Sequence, residues 1–340
     1  MLALHAPDGF LQPGTAAVTA VLSAVTIGYA LRRSKTALEE RQLPLAGVSA
    51  AFIFAAQMVK FPVASGTTGH LIGAALAAIL LGPLTGAMVV AIVVCVQAIV
   101  FADGGLSALG YNVLNMAIVP AIGGYGLFIL FRRMLPNHYG GVIGAAGLAA
   151  WGSVVFGAGA LCLEWLFGAS APVAFDTVFQ AMVSVHALIG VGEGVITGLA
   201  LGAVLRARPD IVAGVADLNL NALSRATQVP MRTFVVGGVL VALLTGAVIS
   251  QFSVDRPDGL EYVSSEVGIG GPGTSSVLDN GVFASYATSG VSNKNLSLGI
   301  AGATGTLITL VVGYGLLTVA RPSRAHQQPS DPASHHQPAG

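Results

Sequence analysis

Long apolar stretches alternate with short polar ones along most of this chain. Apolar runs near the roughly 20 residues needed to cross a bilayer fall at 14–31, 43–59, 84–101, 112–131, 142–167, 176–205, 233–251 and 297–319. Each predicts a membrane-crossing helix. The run 71–82 is only twelve residues long. It fits either a short span or a re-entrant segment that stops halfway.

Charge chooses between these two. If 71–82 crosses, the chain has nine spans, and Arg32, Arg33, Lys35, Arg41, Arg132, Arg133, Arg206, Arg208, Arg225, Arg232, Arg321 and Arg324 share one side. Only Lys60, Arg256 and Lys294 face the other side, a division of twelve to three. If it does not cross, the later loops change sides and the division becomes six against nine. The excess of Lys and Arg in cytoplasmic loops therefore favours nine spans, with the N-terminus outside and the C-terminus cytoplasmic. His5 and His70 then fall on the same outer face.

Composition agrees with this all-α, polytopic reading. The chain has 340 residues, 54% hydrophobic and 9% charged, against about 25% charged in soluble domains. The 45 glycines suit helices that pack closely in lipid. Formal net charge is zero, so nothing points to nucleic acid. Cys95 and Cys162 lie in separate apolar runs without a CxxC pattern and read as core residues. No basic region precedes the first run, so no cleavable signal peptide is expected. The expected organisation is a seven-span membrane domain (1–208), a cytoplasmic linker (209–232) and a two-span unit (233–320) with an outer loop at 252–296. The Pro-, Ser-, Gln- and His-containing tail, 321–340, has the composition of disorder.

Candidate chemistry gathers around histidine. His5 lies in Leu4-His5-Ala6-Pro7-Asp8-Gly9, where Pro7 and Asp8-Gly9 predict a turn. Asp8 either orients a ligand or accepts backbone hydrogen bonds in that turn. His70 ends the stretch Ser65-Gly66-Thr67-Thr68-Gly69, beside the shortest apolar run. Irregular backbone at membrane depth belongs next to a cavity, and interrupted spans point to transport sites. Ser65, Thr67 and Thr68 are pocket candidates, the two threonines also as caps of a helix starting at His70. Asn112 and Asn115 either line the outer cavity or cap the fifth span. Two imidazoles without a thiolate suit nickel, cobalt, zinc or copper rather than magnesium or calcium. Binding through neutral imidazole is expected to weaken below about pH 6.5.

His186 and Glu193 stand seven residues apart, on one face of the seventh span. They read as a structural polar network or as groups that couple or release the cargo, beside a ladder of Gly190, Gly194, Gly198 and Gly202. Glu193 is expected to lie far from His70, and Glu164, next to Trp165, to sit at the membrane interface. No HExxH, GxSxG or Walker A motif is present, so an enzyme is not indicated and any ATPase must be another chain.

Three separated segments resemble the CbiM/NikM family, the cobalt/nickel capture (S-type) components of energy-coupling-factor ABC transporters. They are His5 through Leu11, Ser65 through Leu71, and His186 through Gly194. The resemblance covers about 4–206. The segment Pro257-Asp258-Gly259-Leu260-Glu261 resembles the PDGLE domain, an accessory unit similar to the N components. The resemblance implies nickel(II) or cobalt(II) as the transported ligand and no cofactor. It implies as partners a transmembrane coupling subunit and two cytoplasmic ATPases. It also implies a square-planar nitrogen site: the imidazole and backbone nitrogen of His5, the His70 ring, and the amine of the preceding residue. That residue is Leu4, with Met1-Leu2-Ala3 ahead of it, so the amine is available only if Leu4 is the first residue. The outer loop, with Asp255, Asp258, Glu261, Glu266 and Asp279, is expected either to help load metal or to be merely solvated. Three other readings make different demands. A vitamin-binding S component would need an aromatic pocket, and an intramembrane metalloenzyme would need a base beside the metal. A channel would need rings of charge along several spans.

Overall fold

The computed structural model describes residues 5–37, 42–63, 66–218, 229–269 and 278–319. Seven helical segments among them are long and apolar enough to cross a membrane. They are α1 (Pro13–Ala37), α4 (Pro83–Phe101), the segment Leu109–Met134, α7 (Tyr139–Gly168), α8 (Phe175–Ala207), α9 (Met231–Ala247, extended to Phe252) and α11 (Lys294–Val319). The segment Leu109–Met134 comprises α5 (Leu109–Val113), a π-helical stretch at Leu114–Ile118, and α6 (Val119–Met134). Pro120 lacks the N–H that α-helical pairing needs, so the wider register falls just ahead of it.

Two shorter apolar helices complete the bundle. Helix α2 (Gln42–Gln57) is buried on nearly every side, packed against α4, α9 and α11. Helix α3 (Ala74–Leu81) has eight residues, about 12 Å of rise, and is wholly buried. Gly82 then turns the chain at φ 86° and Pro83 opens α4. Contrary to the sequence expectation, Thr67 and Thr68 do not cap a helix at His70. The helix begins four residues later, and its N-cap, Gly73, has φ 78° and no side-chain cap. Between α2 and α3 lies a two-residue antiparallel ladder, β1 (Phe61–Pro62) with β2 (Thr68–Gly69), a small exception to an all-helical reading.

Close approach of glycines sets the helix spacing. A Cβ on Gly194 of α8 would stand 2.7 Å from the Gly147 carbonyl of α7. In the same way Gly302 of α11 meets the Gly246 carbonyl of α9. The α9–α11 pair is thereby fastened to itself and, through α2, to the rest of the bundle. Bulky aliphatic residues such as Val18, Val21, Leu22 and Val25 of α1 remain exposed. An apolar exterior of this kind suits lipid rather than water.

Candidate metal centre

The N-terminal segment is held in place by its backbone. The Asn112 side chain accepts from the Ala6 N–H at 2.9 Å and donates to the Ala6 carbonyl at 3.1 Å. Asp8 accepts from the Ser107 N–H and hydroxyl at 2.7 and 2.6 Å. Tyr111 donates to the Pro7 carbonyl at 3.1 Å, and Phe10 packs on Trp165 with ring centroids 5.5 Å apart. His5 is consequently fully buried. Its Nε2 lies 3.0 Å from the Gln97 side-chain oxygen.

The His70 loop is fastened from below. Glu193, fully buried midway along α8, accepts from the Ile72 N–H at 2.6 Å and the Gly73 N–H at 2.8 Å. Gln57 of α2 donates to the Ile72 carbonyl at 2.9 Å. His70 Nδ1 lies 2.8 Å from the Leu71 carbonyl. A carbonyl only accepts, so Nδ1 carries the proton and Nε2 keeps a lone pair.

The PDGLE segment closes over this loop. Thr68 N–H donates to the Pro257 carbonyl at 2.9 Å, forming a bridge between Thr68 and Asp258. The Thr67 hydroxyl donates to the Pro257 carbonyl at 3.2 Å, and the Thr68 hydroxyl to the Arg256 and Pro257 carbonyls at 3.2 and 3.1 Å. Asp258 caps helix α10 (Gly259–Glu266) by accepting from the Glu261 N–H at 2.9 Å. Leu260 is buried behind it, and Gly259 lies against His186, where a Cβ would come within 3.0 Å of the ring. The motif is thus a seam between the two units and not a merely solvated loop.

Asp258 has a further consequence. Its other carboxylate oxygen is buried without a partner. Burial pushes the Asp258 pKa up to about 8, with the Glu261 N–H and the Lys60 charge opposing. A carboxyl whose folded pKa is raised contributes fully below its unfolded value, near pH 4, and loses that contribution as pH rises through about 8. The melting temperature of the purified chain is therefore expected to fall between about pH 5 and pH 9. In Asp258→Asn that slope should be shallower; equal slopes would show that Asp258 stays ionised in the fold.

Several sequence expectations are corrected here. Glu193 is not far from His70 but holds the two amides that follow its loop. His186 and Glu193 do not bond each other: His186 Nδ1 donates to the Met182 carbonyl at 2.7 Å. Glu164, four residues from the end of α7, is buried and accepts from Asn115 at 2.7 Å. Asn112 binds the N-terminal segment rather than capping a helix. Leu4 and Ser65 lie outside the described residues. Sequence reasoning missed Gln97 and Asp103, both buried beside His5. The signal available for Asp103 was a lone acid closing a long apolar run. Among the described residues no three His, Cys, Asp or Glu side chains converge as a ready-made metal cage.

The fold and site define a multi-pass membrane protein with two buried histidines at one end of its bundle. A family profile described as the cobalt uptake substrate-specific transmembrane region matches residues 5–211, and the PDGLE domain profile matches 232–322. The fused NikMN relative from Archaeoglobus fulgidus is 32% identical over 94% of this chain and 99% of its own length. The fused nickel transport protein NikMN of Rhodobacter capsulatus is 32% identical, covering 78% of each chain. A crystal structure of a truncated transition metal transporter superposes with TM-score 0.53 at 29% identity, covering 59% of this chain and 98% of that one. The chain belongs to the CbiM/NikMN family of cobalt and nickel transport proteins, and carries a C-terminal PDGLE domain.

Proposed function

We propose that the chain is the substrate-capture component of an energy-coupling-factor ABC transporter that imports nickel or cobalt. ATP hydrolysis would be supplied by two cytoplasmic ATPases through a transmembrane coupling subunit. The observation that carries this reading is the burial of both His5 and His70, the histidines of the two family-like segments. Neither ring is exposed enough to be a surface histidine, and each keeps a nitrogen lone pair. In this reading α2 crosses, and α3, at about 12 Å too short to cross alone, completes a span together with the irregular His70 loop ahead of it, which with the seven longer helices makes nine spans with the N-terminus outside and the C-terminus cytoplasmic. The His70 loop then sits at membrane depth, as interrupted spans do at transport sites.

The first unit (1–208) binds the ion through His5 and His70, with Asp8, Ser65, Thr67, Thr68, Asn112 and Asn115 shaping the pocket. The second (233–320) covers it. The amine of the residue ahead of His5 completes the nitrogen set, with the His5 amide deprotonated. A copy of the chain beginning at residue 4 is accordingly expected to bind nickel at least about tenfold more tightly than one retaining Met1 to Ala3. Titration calorimetry on the two purified forms tests this. Equal affinities would remove the amine from the site. Co-purification with the coupling subunit and ATPases tests the assembly; a chain that drives metal uptake in cells lacking all three would refute the partnership.

A further inference from the structure

The two units meet closely at the histidine end of the bundle, through the seam of Thr68 with Asp258. Toward the opposite end they part. A crevice of about 380 Å³ lies between α2, α3 and α8 of the first unit and α9 of the second. Its wall runs from Ile53 and Leu76 to Ala207 and Thr233, and only Ser49 and Thr233 in it are polar. One side is open to the bilayer, because Thr233, Gly237 and Val241 of α9 are exposed. An apolar cavity of this size with a few placed polar groups, at a junction between units, is the usual form of a ligand site.

Two polar features point to the ligand. The first is Ser49, which is 5% exposed and whose hydroxyl has no hydrogen-bond partner. A helical serine or threonine can return its hydroxyl to the preceding turn, as Thr306 does to the Gly302 carbonyl at 2.7 Å. Ser49 does not, and it faces the crevice instead. The second is the N-terminus of α9. Its N-cap, Pro230, makes no side-chain bond, its first turn holds no acidic residue, and Arg232 stands exposed within that turn. Unsatisfied amides and positive charge at such a terminus attract phosphate. Thr233, in the same turn, lines the crevice mouth.

The spacing of these features fits a single molecule. A Cβ on Gly238 would lie 2.6 Å from the Val48 side chain, so Ser49 is nearly level with Gly238. Gly238 follows Arg232 by six residues of α9, about 9 Å of helix rise. In a glycerophospholipid the ester carbonyls lie a few bonds inward of the phosphate, with the acyl chains beyond them. An ester carbonyl at Ser49 therefore puts the phosphate near the first turn of α9, within reach of the long Arg232 side chain. The acyl chain then runs along Ile53 and Leu76. Volume excludes a partner helix. The crevice follows α2 from Leu45 to Ile53, about 12 Å, and a helix about 10 Å across would fill roughly 900 Å³ over that length.

We propose that this crevice binds one anionic phospholipid, which joins the two units where their helices part. Ser49 donates to an acyl ester carbonyl, while Arg232 and the first-turn amides of α9 hold the phosphate. The headgroup is anionic because the mouth offers Arg232 and the positive end of the α9 dipole, whereas Arg208 nearby is already paired with Asp210. The site is separate from the histidines and does not depend on how metal is held.

The test uses the full chain in detergent, stripped of lipid and returned to phosphatidylglycerol or phosphatidylcholine of the same acyl length. Native mass spectrometry reads the lipid retained, and the melting temperature reads the joining of the units. Wild type is expected to hold a single phosphatidylglycerol at least about tenfold more tightly than phosphatidylcholine, and to melt higher with it. Gly237→Leu fills the crevice without a clash, since a Cβ there meets nothing within 4 Å. It should lose both the lipid and the lipid-dependent rise in melting temperature. Arg232→Gln should abolish the preference between the two headgroups, and Ser49→Ala should weaken both lipids alike. Equal retention of the two lipids by wild type would overturn the proposal. So would unchanged phosphatidylglycerol binding in Gly237→Leu, which would put the lipid elsewhere on the apolar belt. A dimer that Gly237→Leu dissociates would make a second copy of the chain the occupant instead.

Discussion

His70→Ala is expected to abolish nickel and cobalt binding by the purified chain while its helices remain folded. The His70 ring has its Nδ1 proton committed to the Leu71 carbonyl, 2.8 Å away. Only Nε2 is free to bind an ion, and the backbone carbonyl fixes both the tautomer and the ring direction. The loop around it does not depend on the imidazole. Glu193, Gln57, Thr67 and Thr68 hold it through hydrogen bonds to three separate elements. Removing the ring therefore takes away one metal donor and leaves the loop's anchors. A loss of about 100-fold or more in affinity, close to 2.8 kcal/mol, is the expected scale. Circular dichroism should be unchanged. Wild-type affinity in this variant would sink the assignment of His70 as a ligand.

Glu193→Ala should have the largest effect on the structure itself. Its carboxylate is the shared acceptor for the Ile72 and Gly73 amides, and it is fully buried. Deleting it strands two backbone N–H groups without water, at about 1–3 kcal/mol each. The sum, about 2–6 kcal/mol, is a large fraction of a typical protein's stability. The variant is expected to melt well below wild type in detergent and to bind nickel poorly, because the His70 loop is no longer held. Glu193→Gln can still accept one of the two amides through its side-chain oxygen, but turns a donor toward the other. It should fall between wild type and alanine. A normal melting temperature for Glu193→Ala would mean that water or another side chain takes over both amides, and that Glu193 serves some other purpose.

The glycines of α8 behave as their four-residue spacing suggests. Gly194 meets Gly147 backbone to backbone, a contact that no larger residue permits. The His186–Glu193 pair shows where such pattern reading stops. Their spacing correctly puts them on one buried face, but spacing within a helix says nothing about what another helix brings opposite. The structure brings a backbone turn to Glu193 and the PDGLE glycine to His186, so two residues read as one network serve two separate contacts. Asp103 was overlooked for a related reason. A single acid at the end of an apolar run is ordinary in sequence, and it becomes unusual only when His5 and Tyr286 arrive from 98 residues before it and 183 after.

What the chain determined by itself is the set of apolar spans, the small-residue stripes and the family-like segments around His5, His70 and Asp258. These are local properties: helix length follows from runs of apolar residues, and close packing follows from glycine at fixed intervals. Only the tertiary structure decided which polar groups face each other. Asp258 was legible as part of a motif but not as a buried cap sealed over Thr68. The His70 loop was legible as irregular but not as a turn hung from Glu193. In a low-dielectric interior every buried donor and acceptor must find a partner, and that partner is chosen by the folded arrangement rather than by its neighbours in sequence. His5 Nδ1 and Asp103 Oδ1, which find none, are visible only there.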